Sequence, residues 1–474
     1  MPNCRHGELT DFASLGWSLL LGTLLFCLPF SIEMVVSESQ KVRFGVRVPM
    51  ADAMLWFVLC FCLASRIKLT VDWRAIGVPP LAIVGVSLLA SVPMVANGAS
   101  WTEILQRVDA FLVAYFVFLF APIRSLKQTM GPVLVTATSL FLAVGLIQVY
   151  VLKEPPSRVT SVFENRHLFG AWTAIVLAVV VARGPWRGDL RWAAVGAFCA
   201  SALVTSTTLL PVLGLAVGTT IAWWQRRRWR GLLSSALTVA ALVAAFALLA
   251  PWAHVRRALE EWEINDVDTL AELRARGAEI DGVSARMPLL SLSWGDGTLI
   301  LFSPNWHPAV NPPPDPRRES AFEPAYIRQR YLEWKAALHA VDADPVLGSG
   351  LGSYQRSVSR NYLTFKKLKT LEPDTQSGYL VELISTGLAG LLALVWFLVE
   401  SCRRAGEGGG RDHSGAESAM CRSALAGLVT SALIGFAVPV FTCFLAILLT
   451  LLSVIPYRMF LDTPSRPVPP APRA

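Results

Sequence analysis

The sequence predicts an all-α polytopic membrane protein, with about twelve transmembrane helices and one large, partly helical extracytoplasmic loop between the ninth and tenth. Three observations lead there. Hydrophobic residues make up 54% of the chain and charged residues 16%, where a soluble chain carries roughly 25% charged residues. The charge is removed in blocks, so that long apolar runs alternate with short basic stretches. Those basic stretches fall in alternate loops, as the positive-inside rule requires. The net charge of +8 is therefore read as topological, and no nucleic-acid partner is expected.

Taken in order with a window of about 20 residues, spans are expected near 12–32, 49–65, 75–96, 102–122, 128–152, 168–183, 191–207, 209–224, 231–252, 378–400, 422–438 and 441–460. The first run is longer than a signal-peptide core and has no small-residue cleavage site, so it is expected to stay as a membrane helix. The run from Trp192 to Trp224 is too long for one span. It is divided at Thr205-Ser206-Thr207-Thr208 and Pro211, and the last run is divided near Pro439. The chain then separates into helices 1–9 (1–252), a loop domain (253–377), helices 10–12 (378–460) and a Pro-rich tail (461–474).

Orientation follows from Arg66, Lys68 and Arg74, from Arg124 and Lys127, from Arg183, Arg187 and Arg191, from Arg226 to Arg230, and from Arg403, Arg404 and Arg411. All share one side, the expected cytoplasmic side, with both termini. The 253–377 segment faces the other way. Within it, Val255–Ala278 reads as an amphipathic surface helix and Asn311–Pro316 as an extended Pro-rich stretch. A second helix is expected over Tyr326–Val341, with Tyr331, Trp334, Leu338 and Val341 along one apolar face. That loop contains none of the eight cysteines, and no CxxC pair occurs, so no disulfide framework and no metal or cofactor site is expected.

No Walker loop, GxSxG or HExxH motif is present. The chemistry-bearing residues lie at the outer ends of the expected helices. Arg158, Arg166 and His167 gather cationic donors in one short connection, suited to phosphate or pyrophosphate and equally to lipid headgroups at a solvated loop. Arg328 and Arg330 precede a turn rich in glycine (Gly348, Gly350, Gly352), which is either a site element or a flexible turn. Asp374 and Gln376 stand at the mouth of the tenth helix, where an acid is also favoured by the helix dipole. Glu382 lies about one turn inside, and an ionisable group there is a functional candidate. Arg107 and Asp109 sit in the fourth expected helix on different faces, each requiring a partner in the bundle.

Three stretches together resemble the bacterial O-antigen ligase and O-antigen polymerase family. Arg158 with Phe163-Glu-Asn-Arg-His-Leu-Phe-Gly170 is similar to that family's entry to the sixth helix. Trp334 with Asp344-Pro-Val-Leu-Gly-Ser-Gly-Leu-Gly-Ser-Tyr354 is similar to its Pro-x-x-Gly-x-Gly-x-Gly stretch and is the most specific of the three. Gln376-Ser-Gly-Tyr-Leu with Gly387-Leu-Ala-Gly-Leu-Leu392 is similar to its His-Asn-x-Tyr-Leu stretch at the tenth helix. Two departures stand out. Gln376 occupies the ligase His position, and Thr205-Ser-Thr-Thr occupies the place of a Ser-Arg-Gly.

The resemblance implies a metal-independent, cofactor-free inverting glycosyltransferase in the bacterial inner membrane. It would take glycan from an undecaprenyl pyrophosphate carrier at the periplasmic face and pass it to a glycan or lipid acceptor, in polymerisation or ligation of surface polysaccharide. Substrate-binding residues would be Arg107, Arg158, Arg166, His167, Arg328, Arg330 and Tyr379, with the arginines offsetting the leaving-group charge. Catalytic candidates would be Gln376 and Asp374. Gln cannot accept a proton as a general base does, so Asp374 is the carboxylate available for that role. The competing expectations are a non-catalytic relative that binds lipid-linked sugar, and a lipid-linked glycan transporter.

Overall fold

The computed structural model describes residues 4–29, 31–39, 42–64, 78–95, 101–151, 161, 163, 166–183, 189–206, 208, 210–226, 288–294, 297–302, 334, 337–354, 357–358, 377–410, 415–441 and 443–461. The expected span near 231–252, the helix expected over 255–278 and the first part (326–333) of the helix expected over Tyr326–Val341 lie outside the described residues, as do Arg158, Arg328, Arg330, Asp374 and Gln376.

The described residues are mostly helical. In order come α1 (Cys4–Cys27), β1 (Ser31–Ser39), β2 (Val42–Pro49), α2 (Met50–Ala64), α3 (Val78–Val95), α4 (Trp101–Val108), a π-helical turn (Asp109–Val113), α5 (Ala114–Phe120) and α6 (Ile123–Tyr150). There follow α7 (Arg166–Arg183), α8 (Asp189–Ser206), α9 (Leu210–Arg226), β3 (Pro288–Trp294), β4 (Gly297–Phe302), α10 (Gly378–Gly410), α11 (Gly415–Ile434) and α12 (Cys443–Leu461). Two segments are long and apolar enough to cross a membrane, Ser125–Tyr150 and Gly378–Gly408, and shorter apolar helices surround them.

Four antiparallel strands in the order β2-β1-β4-β3 add a sheet to the expected all-helical frame. Val42, Phe44, Val46 and Val48 alternate with Arg43, Gly45 and Arg47, a strand pattern of period two that a hydropathy window averages away. Between β3 and β4 the sequence reads Gly295-Asp296, residue types suited to a two-residue hairpin turn. Ile32 of β1 pairs with Leu301 of β4, so strands between α1 and α2 and strands between α9 and α10 form one sheet.

The helices pack through small residues. A Cβ at Gly214 would lie 2.0 Å from the Ala174 carbonyl oxygen, and one at Gly218 would lie 2.9 Å from Ala178. Gly214 and Gly218 stand one turn apart on α9, and Ala174 and Ala178 one turn apart on α7. The two backbones thus approach as small-xxx-small faces do, where contact rather than hydrophobic expulsion drives association. A second anchor is aromatic: Phe163 is fully buried and meets Phe141, Phe169 and Trp172 with ring centroids 5.5, 5.2 and 5.9 Å away.

The ends of the bundle are marked by polar pairs. At one end Lys127 Nζ lies 2.8 Å from Glu417, and Arg183 donates to the Lys127 carbonyl at 3.1 Å. Glu400 meets both Arg403 and Arg404 at 2.7 Å. At the other end the N–H of Gly378, opening α10, donates to the Gly435 carbonyl after α11 at 2.8 Å. Lys127, Arg183, Arg403 and Arg404 are all residues that the charge pattern assigns to one side.

Two of the expected single helices are interrupted. The span near 102–122 carries the π-turn at Asp109, where the Ala114 N–H bonds the Asp109 carbonyl and passes over Ala110. The Ala110 carbonyl accepts instead from the Thr450 hydroxyl of α12 at 2.8 Å. The span expected at 378–400 runs to Gly410, and it breaks at Gly387, whose φ of 67° and ψ of −167° lie outside the helical region.

Candidate functional site

Gly387 explains the break and what fills it. A helix interrupted there loses the bonds from Leu388 N–H to Ile384 O and from Ala389 N–H to Ser385 O, since each spans the Gly387 peptide. The segment 345–350, called the strap from here on, supplies all four partners. Leu388 N–H donates to Pro345 O at 2.9 Å and Ala389 N–H to Val346 O at 3.1 Å. In return Ser349 N–H donates to Ile384 O at 2.8 Å and Gly350 N–H to Ser385 O at 2.9 Å. Irregular backbone inside an apolar bundle requires this kind of complete accounting. Both contact points must be glycine. A Cβ on Gly387 would sit 2.3 Å from the Val346 carbonyl, and one on Gly348 (φ 71°) 2.5 Å from Gly387 N.

The strap is pinned further. Leu351 N–H meets Ser91 Oγ of α3 at 3.3 Å, and Ser353 Oγ donates to Gly350 O at 2.6 Å. Ala337, Ala340, Tyr354 and Val358 bury themselves against Ile384 of α10. This corrects the expected apolar face of the 326–341 helix: Trp334 is 40% and Leu338 55% exposed, whereas Ala337 is fully buried. Alanines let this helix lie close on α10, Val341 packs against the same cluster, and Trp334 and Leu338 turn outward.

One helical turn before the break stands the principal charged pair. Arg107 of α4 and Glu382 of α10 are 7% and 1% exposed. Arg107 Nη2 pairs with Glu382 Oε2, and Nη1 donates to the Phe441 carbonyl at 2.9 Å. The guanidinium also lies 5.2 Å from the Phe111 ring centroid. Thr386 Oγ1 is 2.7 Å from Glu382 Oε1 and 2.8 Å from the Glu382 carbonyl, sharing its proton between them. Two opposite charges are stable at such burial only when paired and hydrogen-bonded, which is the case here. The carboxylate thus has both oxygens engaged, and the guanidinium bridges α4, α10 and the turn after α11.

The other anticipated residues are distributed around this pair. Tyr379, at the start of α10, donates its hydroxyl to Ala432 O at 2.8 Å, and its ring meets Phe436 and Phe441 at 4.6 and 4.9 Å. Its contacts therefore join α10 to the end of α11. Arg166 begins α7, and His167 follows it half-buried. Ahead of them Ser161 is in a left-handed conformation (φ 56°). Gln148 Oε1 accepts its N–H at 2.8 Å, and its hydroxyl donates to Phe141 O at 2.5 Å. Asp109 is buried in the π-turn, as is Asp52 at the start of α2. Among the described residues no three His, Cys, Asp or Glu side chains converge as a metal set.

The Arg107–Glu382 pairing was not read from the sequence, although both members were flagged separately. The available signal was that opposite charges occur within two turns of the same end of two apolar helices, where each must find a partner. The chain matches no protein-family model and none of the curated proteins.

Proposed function

We propose that the chain is an inner-membrane glycosyltransferase that polymerises or ligates glycan from an undecaprenyl pyrophosphate-linked donor at the periplasmic face. The observation that carries this reading is the meeting of two of the three stretches that bear the resemblance. The Gly348–Gly350 turn and the Gly387 region are far apart in sequence, yet each occupies the space that a side chain on the other would need. Their junction lies about one helical turn beyond Glu382, the partner of Arg107. The membrane assignment is supported by the two long apolar helices, by small-residue packing between α7 and α9, and by the apolar stripe Leu388, Leu392, Val395, Trp396 and Val399 exposed along α10. A stripe of that length needs lipid or a partner against it. In this orientation Lys127, Arg183 and Arg403 mark the cytoplasmic end, and the strap and sheet belong to the periplasmic end with the 253–377 loop.

In that mechanism the chain's own groups would do three things. Arg158, Arg166, Arg328 and Arg330 would bind the pyrophosphate and offset charge developing on it as the glycosyl bond breaks. Asp374 would take the proton of the acceptor hydroxyl. Arg107, neutralised by Glu382 and bonded to the Phe441 carbonyl, would hold the elements beneath the site together rather than bind the pyrophosphate itself.

The break in α10 favours a second reading, since discontinuous helices are also how transporters build substrate sites. Glycan analysis of a deletion strain separates the two. Accumulated unpolymerised carrier-linked units, or full-length polymer trapped on its carrier, support the transferase, provided that wild type restores the profile and Arg158→Ala does not. Carrier-linked units confined to the cytoplasmic leaflet support transport. An unchanged profile rejects both.

A further inference from the structure

At the end that the charge pattern assigns to the cytoplasm, cations outnumber acids where α6, α7 and α11 meet. Lys127 of α6 is paired with Glu417 of α11, and Lys127, Glu417 and Arg422 all lie within electrostatic reach of Cys421. Arg183, in the last turn of α7, joins them by donating from Nη2 to the Lys127 carbonyl at 3.1 Å. Among the described residues no carboxylate pairs with Arg183. A helix C-terminus favours a cation whether or not anything binds it, so charge alone does not make a site here. The placing of the guanidinium does. A Cβ on Gly131, one turn after Lys127 on α6, would overlap Arg183 Nη1 and stand 3.0 Å from Cζ. Gly131 is therefore what admits the guanidinium against α6. Arg183 is half-buried, and the Lys127 carbonyl engages one of its five N–H donors. The planar fork that remains suits a phosphate, which takes two such donors at once.

The surroundings select a lipid phosphate over a free one. The exposed face of α6 runs from Gln128 through Pro132, Val135, Leu140 and Val144 to Ile147 and is mostly apolar from Pro132 onward. Gly131 stands beside the start of that face, since residues three and four apart are neighbours on a helix. From Pro132 to Ile147 the face is about 20 Å long, more than half the thickness of a bilayer's hydrocarbon core. An acyl chain gains a surface there that inorganic phosphate cannot use. The excess of cations favours a headgroup with net negative charge over a zwitterionic one, whose ammonium Lys127, Arg183 and Arg422 would repel.

We propose that the cleft formed by Arg183, Gly131 and Lys127 binds the phosphate of one anionic phospholipid, whose chains lie along the exposed face of α6. The site rests on the membrane reading alone and would hold for a transferase and a transporter equally.

The purified full chain in detergent is titrated with phosphatidylglycerol or phosphatidylcholine, and bound lipid is counted by native mass spectrometry. One phosphatidylglycerol is expected to bind about tenfold or more tightly than phosphatidylcholine. Arg183→Gln should lose that preference. Gly131→Ala should lose it too with every charge kept, because the added methyl displaces the far end of a flexible side chain and leaves the backbone in place. Arg403→Gln removes a cation from the same end, one already held by Glu400 and Glu407, and should keep the preference. Equal affinity of the wild type for the two lipids, or equal losses in Arg183→Gln and Arg403→Gln, means attraction by charge alone and overturns the site. A preference that survives Gly131→Ala overturns the cleft. Displacement of the bound lipid by inorganic phosphate at equal concentration overturns the lipid assignment. Should Gly131→Ala unfold, Arg183→Lys decides, since it keeps the charge and removes the fork: about tenfold weaker phosphatidylglycerol binding supports the site, and wild-type binding overturns it.

Discussion

Removing one member of the Arg107–Glu382 pair leaves the other as a buried charge without its counter-charge. Glu382→Gln keeps the shape and leaves a guanidinium that is 7% exposed without its counter-charge. Thr386 retains an acceptor in the new amide, and Phe441 O retains Arg107 Nη1. The loss is therefore that of one charged partner in a dry setting, about 3–5 kcal/mol. Arg107→Met is expected to cost a similar amount, since it strands the carboxylate and removes the donor to Phe441 O. The double variant should not cost the sum. With both charges gone the desolvation penalty is gone too, and a well-packed apolar replacement of a buried pair is often neutral. The assay is a double-mutant cycle on the purified chain in detergent, read as unfolding free energy. A coupling of about 2 kcal/mol or more agrees with the geometry. Two singles that each cost under about 1 kcal/mol and add without coupling would refute the pairing as a buried interaction.

Three further outcomes are expected. Gly214→Val drives side-chain atoms into the Ala174 backbone, where even a Cβ would stand 2.0 Å from the carbonyl oxygen; thermal unfolding should show a loss of about 1–3 kcal/mol or more. Thr450→Val removes the hydroxyl that donates to Ala110 O in the π-turn and should cost about 1–3 kcal/mol, whereas Thr450→Ser should be close to neutral in the same melt. Tyr379→Phe removes the bond to Ala432 O and should lower stability by about 1 kcal/mol. If that variant lost glycan transfer while its unfolding midpoint stayed unchanged, Tyr379 would be a substrate contact rather than a tie between α10 and α11.

Most of the helical frame was legible because long apolar runs leave few alternatives. The expected spans at 168–183 and 191–207 match α7 and α8 to within about two residues, as boundary placement allows. What escaped was local and polar. The alternation in 42–48 is a strand signal only when read residue by residue, and the window that finds membrane helices erases it. The π-turn at Asp109 has no sequence signature in Asp-Ala-Phe-Leu-Val; it is stabilised by a hydroxyl on α12, a tertiary fact. Gly348, Gly350 and Gly387 were visible as motifs, but not that Gly348 and Gly387 face each other, because sequence spacing cannot report contact between a loop and a helix. Tyr379 stands in a stretch that suggests substrate binding, and the structure adds a role that the sequence does not show: its hydroxyl donates to Ala432 O of the neighbouring helix.

The central claim is glycosyl transfer from a pyrophosphate carrier, and its most direct test is chemical. Carrier-linked glycan extracted from the deletion strain is given to the purified chain in liposomes, with a chelator present throughout. Free undecaprenyl pyrophosphate is expected to appear together with longer or acceptor-linked glycan, and Asp374→Asn to stop both. Carrier that stays fully glycosylated with the wild-type chain, with the donor and the acceptor fraction both supplied, would contradict it.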